Sequence, residues 1–375
     1  MSKFDSSFFD EPQEHSLVKI EIVAKYFAAW LAIMNLKSNG PITYLDLFSG
    51  PGKYRNGKNS TPQEILNVII RQQSVHKKVK VIFHESNEDS YELLRKLVRE
   101  HKIYGKLKEI PEVNNQTVNT KFVSNMKIRD STCTFIDPSG FKDISFEMIS
   151  LVIKGWGNDC ILVFNTSGII RNLKIDEQAS NMKKIFGNSG FNTLLNQFRN
   201  AKSVIEKENY LLAGLREAVS RELNSDIYFL SFGLGFEKSE QTCYYLVFFS
   251  KHYLGFEKMR KVMIDNSLTD ENDFPLYYYS KIERQKQKQI KLDLMYKGNL
   301  QENLEKKLSA DFSKSTIKIG ELLDECLKER KYIYNNMHIK KSLQELEISK
   351  KIELPDCTRT RNKLTYQKND IIKFL

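Results

Sequence analysis

The chain has 375 residues, of which 41% are apolar and 28% are charged. This balance predicts a packed core, excludes a disordered chain, and at this length favours two domains or one large domain with an appendage. We expect a cytoplasmic protein, because no apolar run is long enough to span a bilayer and the first ten residues lack a secretory pattern. The five cysteines are odd in number and far apart, so we expect neither a disulfide framework nor a metal site.

The formal net charge of +11 is unevenly distributed along the chain. Residues 271–375 contain 22 Lys and Arg against 16 Asp and Glu, whereas the first 270 residues contain 36 against 31. Basic residues are therefore in densest excess near the C-terminus. This favours an anionic partner, with nucleic acid as the first candidate, and leaves charge for solubility as the alternative.

The first predicted element is a helix from His15 to Lys37, where apolar residues recur every three or four positions. Asn39-Gly40-Pro41 ends it, because Gly and Pro terminate helices. His15 and Lys19 lie one turn apart near its start. Their spacing alone predicts an ordinary solvated pair.

A strand, a glycine turn and a helix follow in the stretch that begins Tyr44-Leu-Asp-Leu-Phe-Ser-Gly-Pro-Gly52. Such a corner binds nucleotide-type ligands in open α/β sheets. We expect Asp46 inside the strand, two residues before its end, where a buried carboxyl needs a polar partner. Gly50 and Gly52 permit positive φ angles and close approach of the backbone to a ligand. The pattern D-x-F-x-G-x-G, which includes Phe48, is also the usual first motif of S-adenosylmethionine-dependent methyltransferases.

An overlapping pattern offers an alternative. Gly52 to Lys58 fits the start of a P-loop, but Asn59 replaces the Ser or Thr that binds magnesium, and the loop starts late after the strand. A nucleoside triphosphatase is therefore the less favoured alternative. Lys53, Arg55 and Lys58 are predicted to lie beside an anionic substrate, as nucleic-acid-binding residues.

The second predicted strand, Val79 to Glu85, ends in an acidic residue. An acid in this place accepts hydrogen bonds from ribose hydroxyls in doubly wound sheets, so Glu85 is a predicted cofactor ligand. A weakly predicted third strand, around Ile110 to Val113, precedes Asn115. We expect Asn115 to lie near the adenine ring of a bound cofactor.

The fourth predicted strand, Thr132 to Asp137, gives the best catalytic candidate. Asp137 and Pro138 follow its apolar residues at the edge where a cofactor crevice is expected. Amino-methylating enzymes orient their target nitrogen with an acidic or amide group and a proline in this place. Asp137 and Pro138 are therefore predicted catalytic residues.

Further strands are predicted at Asp159 to Thr166, Ile227 to Leu230 and Tyr244 to Phe249, the last two forming an antiparallel hairpin at the sheet edge across Glu237 to Gln241. The total of about seven strands predicts an α/β fold with a Rossmann-like class I methyltransferase sheet. We assign residues 1–270 to this domain.

Residues 271–297, which include Tyr277-Tyr278-Tyr279, are predicted to be a charged linker, and residues 298–375 a winged-helix-like domain. The predicted order in that domain is three helices, a strand around Ile352 to Leu354, a basic turn, and a strand around Leu364 to Tyr366. Such a module can place its third helix in a groove and its wing on phosphates, although it serves protein contacts nearly as often. The basic turn holds three predicted nucleic-acid ligands: Arg359, Arg361 and Lys363.

Together these motifs resemble the three-Cys-motif partner protein family, TcmP. The matching segments are His15-Ser-Leu-Val-Lys19, Tyr44 to Gly52, Phe135-Ile-Asp-Pro-Ser-Gly-Phe141 and Tyr244-Tyr-Leu-Val-Phe248, which span about residues 12 to 270. The resemblance implies a class I methyltransferase-like fold. It also implies a partner protein with a three-cysteine motif like that of radical S-adenosylmethionine enzymes.

The main hypothesis from the sequence is a protein that binds S-adenosylmethionine and acts on or near nucleic acid. In this hypothesis Asp46, Gly50 and Gly52 hold the methionine end of the cofactor, and Glu85 holds its ribose. The second hypothesis is a catalytically inactive methyltransferase fold that serves as a binding or adaptor module.

Overall fold

The computed structural model of the chain describes residues 11–172, 178–236, 242–270, 273–282, 300–328, 332–355 and 365–375. The helices are α1 (Glu14–Lys37), α2 (Thr61–Arg71), α3 (Glu88–Glu100), α4 (Thr120–Asn125), α5 (Phe146–Ile153), α6 (Thr166–Asn172), α7 (Ala179–Asn200), α8 (Val204–Leu223), α9 (Tyr253–Asp265), α10 (Leu300–Asp311), α11 (Ile319–Lys328) and α12 (Asn336–Ile348). The strands are β1 (Ile42–Asp46), β2 (Val79–Glu85), β3 (Glu112–Asn115), β4 (Ser131–Ile136), β5 (Asp159–Phe164), β6 (Tyr228–Gly235), β7 (Thr242–Ser250), β8 (Tyr278–Tyr279), β9 (Thr316–Lys318), β10 (Ile352–Glu353) and β11 (Ile371–Phe374). None of the described helices combines the length and apolarity needed to cross a bilayer.

The main sheet has the strand order β3-β2-β1-β4-β5-β7-β6-β8. Strands β3, β2, β1, β4 and β5 pair in parallel, and β7 runs antiparallel to both β5 and β6. This is the doubly wound order 3-2-1-4-5-6 with one antiparallel strand inserted between the fifth and sixth. The predicted Rossmann-like methyltransferase sheet is thus confirmed.

Both faces of the sheet are buried, which explains why its central strands are nearly continuous apolar runs. One face packs against α1, α2, α3 and α9 in a cluster that includes Tyr26, Phe27, Tyr44 and Phe83. The other face packs against α5, α7 and α8 in a cluster that includes Met148, Phe164, Phe186 and Phe249. Every residue of β1, β4 and β5 is buried, so these strands hold their carboxyl ends in a fixed place.

Strand boundaries differ from the sequence prediction at three places that matter for the site. Strand β4 ends at Ile136, so Asp137 follows the strand directly and is not its last residue. Asp46 is the last residue of β1 and does not lie two residues before its end. Strand β3 begins at Glu112 and ends at Asn115, later than predicted. Its first and last residues are exposed, so the apolar pattern that marks the buried strands is absent there.

The segment from Tyr277 to Tyr279, which the sequence places in the linker, belongs to the main sheet. Tyr278 and Tyr279 form β8 and pair in parallel with Gly233 and Leu234 of β6. The predicted β6–β7 pairing is confirmed, but β8 covers β6, so the hairpin is not at the sheet edge. Its connection, residues 237–241, lies outside the described residues. The domain boundaries remain predictions.

The C-terminal elements surround a third core cluster, which includes Phe274, Leu308, Leu343 and Phe374. Strands β10, β11 and β9 form a small antiparallel sheet in that order. The last strand is β11, whereas the described part of the predicted strand, Thr365 and Tyr366, is not in a strand. Strand β9, between α10 and α11, is not predicted from the sequence. The basic turn with Arg359, Arg361 and Lys363 lies outside the described residues.

A buried arginine connects this third cluster to the main domain. Arg260 of α9 is 2% exposed, its Nη1 donates to the Tyr332 carbonyl oxygen at 3.0 Å, and its guanidinium carbon lies 5.3 Å from the Phe256 ring centroid. Beside it, the Tyr277 hydroxyl donates to the Ile333 carbonyl oxygen. These polar contacts tie α9 and the strand β8 region to the chain that leads into α12.

We expect Arg260→Ala to lower the free energy of unfolding by about 2–4 kcal/mol, because it opens a cavity and removes the donor of a buried carbonyl. The matched control is Lys261→Ala, one residue along the same helix, whose side chain is 71% exposed. This control should change stability by less than about 0.5 kcal/mol. Urea titrations of both variants make the comparison. Equal effects would contradict a structural role for Arg260.

Candidate active site

The carboxyl ends of β1, β2 and β4 bring the three acidic residues singled out from the sequence to one edge of the sheet. Asp46 pairs in register with Phe83 of β2 and with Phe135 of β4. Glu85 lies two residues beyond Phe83, and Asp137 two residues beyond Phe135. This is the edge at which doubly wound sheets bind their ligands.

Asp46 is a fully buried carboxyl group at this edge. Its Oδ1 accepts a hydrogen bond from the Phe48 backbone N–H at 3.1 Å, and the Tyr44 hydroxyl lies 3.5 Å from Oδ2. Burial raises the pKa of Asp46 to about 8; the Phe48 hydrogen bond opposes this rise, while the nearby charges of Asp137 and Glu85 add to it. Phe48, a predicted cofactor-binding residue, therefore also fixes the Asp46 carboxyl group through its backbone N–H.

Glu85 holds the glycine turn in place. Its Oε2 accepts from the Gly50 N–H at 2.8 Å, and its Oε1 accepts from the Asn87 N–H at 2.7 Å. Gly50 has a φ of 67°, a conformation that favours glycine. Each carboxylate oxygen can accept a further hydrogen bond, so Glu85 retains acceptor capacity for hydroxyl donors.

Gly52 is required by packing against α3. Its φ is 83°, and a Cβ at this position would lie 2.9 Å from Leu94 Cδ1 and 3.0 Å from Leu97 Cδ1. Any side chain larger than hydrogen at position 52 would therefore clash with two leucines of α3. This contact gives Gly52 a role beyond the close ligand approach expected from the sequence.

Asp137 forms an ion pair with Lys19 of α1. Lys19 Nζ donates to Asp137 Oδ2 at 2.5 Å, and Lys19 is 6% exposed. Burial lowers the pKa of Lys19 and is the largest single effect, but Asp137, Tyr244 and Tyr54 together outweigh it, so the pKa is raised and the ammonium form is held. The ammonium group also lies 5.7 Å from the centroid of the Tyr244 ring. Pro138 follows directly in the chain and is half-buried.

The prediction that His15 and Lys19 are a solvated pair is wrong, because both residues are buried. The His15 ring instead makes an edge contact with the Tyr244 ring, with centroids 5.5 Å apart. The helical spacing could have predicted that Lys19 is buried. Lys19 is three residues before Ile22 and seven before Tyr26, so it lies on the buried face of α1.

Asn115 lies at the end of β3, beside Glu85 in the pairing register. Its side chain is exposed, and its Nδ2 donates to Glu88 Oε2 at the start of α3. The structure therefore places Asn115 next to the ribose candidate. Its contact with an adenine ring stays a prediction.

The segment from Gly52 to Asn59 forms a small hairpin, which is not the cradle of a P-loop. Lys53 and Asn59 form an antiparallel bridge, the Tyr54 N–H donates to the Lys58 carbonyl at 2.9 Å, and the Gly57 N–H donates to the Tyr54 carbonyl at 2.9 Å. These backbone N–H groups are engaged within the loop and do not converge on a phosphate. The triphosphatase alternative therefore loses its structural basis.

The three predicted basic residues of this hairpin point to different places. Lys58 Nζ lies 3.6 Å from a carboxylate oxygen of Glu11. Lys53 and Arg55 line a cleft of about 690 Å³ between α2 and α3. This cleft does not include Asp46, Glu85 or Asp137, so the acidic crevice at the strand ends is a separate feature. Within the described ranges, no group of three or more His, Cys, Asp or Glu side chains is arranged to hold a metal ion.

Comparisons with known proteins give distant structural similarity alone. No family model matches the chain, and no curated protein matches it. Among solved structures, a Legionella pneumophila protein of the DUF519 family has 12% identity and a TM-score of 0.37, over 62% of this chain and 85% of that one. The plantazolicin methyltransferase BamL has 14% identity and a TM-score of 0.33, over 72% and 86%.

A Clostridium thermocellum protein described as an rRNA methylase has 10% identity and a TM-score of 0.30, over 59% of this chain and 95% of that one. At such low TM-scores, these similarities add nothing to the argument. The fold assignment rests on the strand order and on the antiparallel β7.

We expect the buried Asp46 to make the protein less stable as pH rises. Burial raises its pKa from the ordinary 3.8 to about 8 in the folded protein, so its stabilising protonated form is present at low pH and lost as pH rises through 8. Between about pH 5 and 8, wild-type stability should fall by up to about 1.4 kcal/mol per pH unit more than that of Asp46→Asn. Urea titrations across this range measure both slopes. Parallel slopes would contradict the buried, protonated state.

Proposed function

We propose that this protein is an S-adenosylmethionine-dependent methyltransferase that acts on nucleic acid. The carrying observation is the alignment of Asp46, Glu85 and Asp137 at the carboxyl ends of β1, β2 and β4, next to the Gly50 turn. The strand order, with its antiparallel seventh strand, supports the same class of enzyme.

The chemistry of the crevice fits the proposed cofactor. Glu85 retains acceptor capacity at the end of β2, which suits the two ribose hydroxyls. Asp46 is a buried carboxyl group near two other acids, and a cationic methionine group would stabilise its ionised form. The Gly50 turn lets the backbone pass close to the ligand. S-adenosylmethionine supplies an electrophilic methyl group when it is bound.

Asp137 is proposed to orient the acceptor. Lys19 holds Oδ2 of Asp137 in an ion pair at 2.5 Å, which fixes the rotation of the carboxylate group. The other oxygen, Oδ1, is then positioned to accept a hydrogen bond from an N–H group of an amine or a nucleobase. Pro138 fixes its own φ angle and restricts the backbone conformation of Asp137, the residue before it. Catalysis by these residues consists of positioning, which lowers the entropic part of the barrier.

The nucleic-acid substrate is supported by charge and by the C-terminal module. The net charge is +11, and basic residues are in densest excess after residue 270. The module runs α10, β9, α11, α12, β10 and β11, with its strands in one antiparallel sheet. This order supports the winged-helix proposal, in which α12 and the basic segment with Arg359, Arg361 and Lys363 meet nucleic acid. A three-cysteine-motif partner, implied by the TcmP resemblance, is part of the proposal as a second macromolecule.

The test separates cofactor binding from methyl transfer. By isothermal titration, wild-type protein should bind S-adenosylmethionine. Asp137→Asn should bind it within about threefold of wild type, because its amide oxygen can still accept a hydrogen bond from Lys19 and because Asp137 orients the acceptor rather than the cofactor. With tritiated cofactor and bulk RNA or DNA, Asp137→Asn should lose about 100-fold or more of the methyl transfer. The control is Asp143→Asn, an exposed residue six positions along, which should keep full activity.

Absence of cofactor binding by wild type would refute the proposal. Binding without transfer to either nucleic acid would favour the alternative, an inactive methyltransferase fold that serves as an adaptor. Transfer that is unchanged in Asp137→Asn would remove Asp137 from the reaction.

A further inference from the structure

The cleft between α2 and α3 has a chemistry that the acidic crevice does not share. Its basic lining residues come from three separate places in the chain: Lys53 and Arg55 from the hairpin after the glycine turn, Lys96 from α3, and Lys102 from the segment after α3. All four side chains are exposed. Asp89 and Glu100 are the acidic residues of the lining, so the cleft carries a net positive charge.

Two of these lysines, Lys53 and Lys102, influence the same residue of the cleft, His101. His101, which also lines it, has a pKa that is lowered first by burial and then by the charges of Lys53 and Lys102. The two ammonium groups therefore lie near one imidazole, although they are far apart in sequence. Neither lysine forms an ion pair with any residue in the described ranges, whereas Lys96 lies 3.9 Å from Glu100. Their charges are available to an external anion.

The cleft also has apolar walls and adjoins the proposed cofactor corner. Leu93, which is 58% exposed, and Leu97 lie along one side. The lining also includes Pro51, which follows Gly50 in the chain, and the Gly50 N–H donates to Glu85 Oε2. A ligand in the cleft would therefore run toward the edge of the sheet that holds Asp46 and Glu85.

We propose that this cleft binds the phosphate backbone of a single-stranded nucleic-acid segment that flanks the base to be methylated. A strand of alternating phosphates and sugars matches a groove that combines separated lysines with the apolar surface of the exposed Leu93 and the half-buried Leu97. We commit to a single strand because a base that is stacked inside a double helix cannot reach an enzyme's active site. This inference rests on the proposed function, and it names the strand type and the residues that would hold it.

The test uses full-length protein and a fluorescein-labelled single strand of about 20 nucleotides, as RNA and as DNA, with affinity measured by fluorescence anisotropy. The double variant Lys53→Ala, Lys102→Ala should bind about tenfold more weakly at 0.1 M salt. Its slope of log affinity against log salt should fall in magnitude by about 1.4, since each single-strand phosphate contact contributes about 0.7. The matched control removes two exposed lysines on other helices, Lys183→Ala and Lys261→Ala.

An equal loss in the control, an unchanged double variant, or no binding of either strand by wild type would overturn the inference. Displacement of the strand by polyglutamate with the same dependence on Lys53 and Lys102 would also overturn it, in favour of an acidic peptide. Cofactor titration of the double variant keeps the two proposals distinguishable. Normal cofactor binding with unchanged strand affinity contradicts the cleft alone, whereas absent cofactor binding in wild type contradicts the proposed function.

Discussion

The arrangement of the site depends on the buried ion pair between Lys19 and Asp137. An ammonium group that is 6% exposed is stable only when a compensating charge lies beside it, and Asp137 supplies that charge at 2.5 Å. The pair fixes the start of α1 across the carboxyl end of β4. Removing either partner would leave the other charge in a poorly solvated place. The acidic edge of the sheet is therefore closed on one side by α1.

The same physical constraint shapes the rest of the crevice. Asp46 and Glu85 are also buried or half-buried carboxyl groups that need polar partners, and backbone N–H groups supply them. Phe48 donates to Asp46, and Gly50 and Asn87 donate to Glu85. These contacts fix the glycine turn between two strand ends. Three carboxyl groups at one edge repel one another. Burial is the main cause of the raised pKa of Asp46, and the charges of Asp137 and Glu85 raise it further. Such an edge favours a cationic ligand with hydroxyl donors.

Much of this arrangement could be predicted from the sequence, because buried parallel strands leave continuous apolar runs with polar residues at their ends. The patterns that end in Asp46, Glu85 and Asp137 follow this rule, and all three residues lie at strand ends. Lys19 was missed because its charge suggested solvent, although its helical position lies on the buried face. Strand β8 was missed because two residues are too few to show a period.

The central claim is that the crevice between Gly50, Glu85 and Asp137 holds the cofactor. A crystal structure of the full chain with S-adenosylhomocysteine tests it most directly. The account predicts ribose hydroxyls that donate to Glu85, and a sulfur atom on the Asp137 side of the crevice, with the Lys19–Asp137 pair intact. Ligand density in the α2–α3 cleft, or an empty crevice at saturating ligand, would contradict the account.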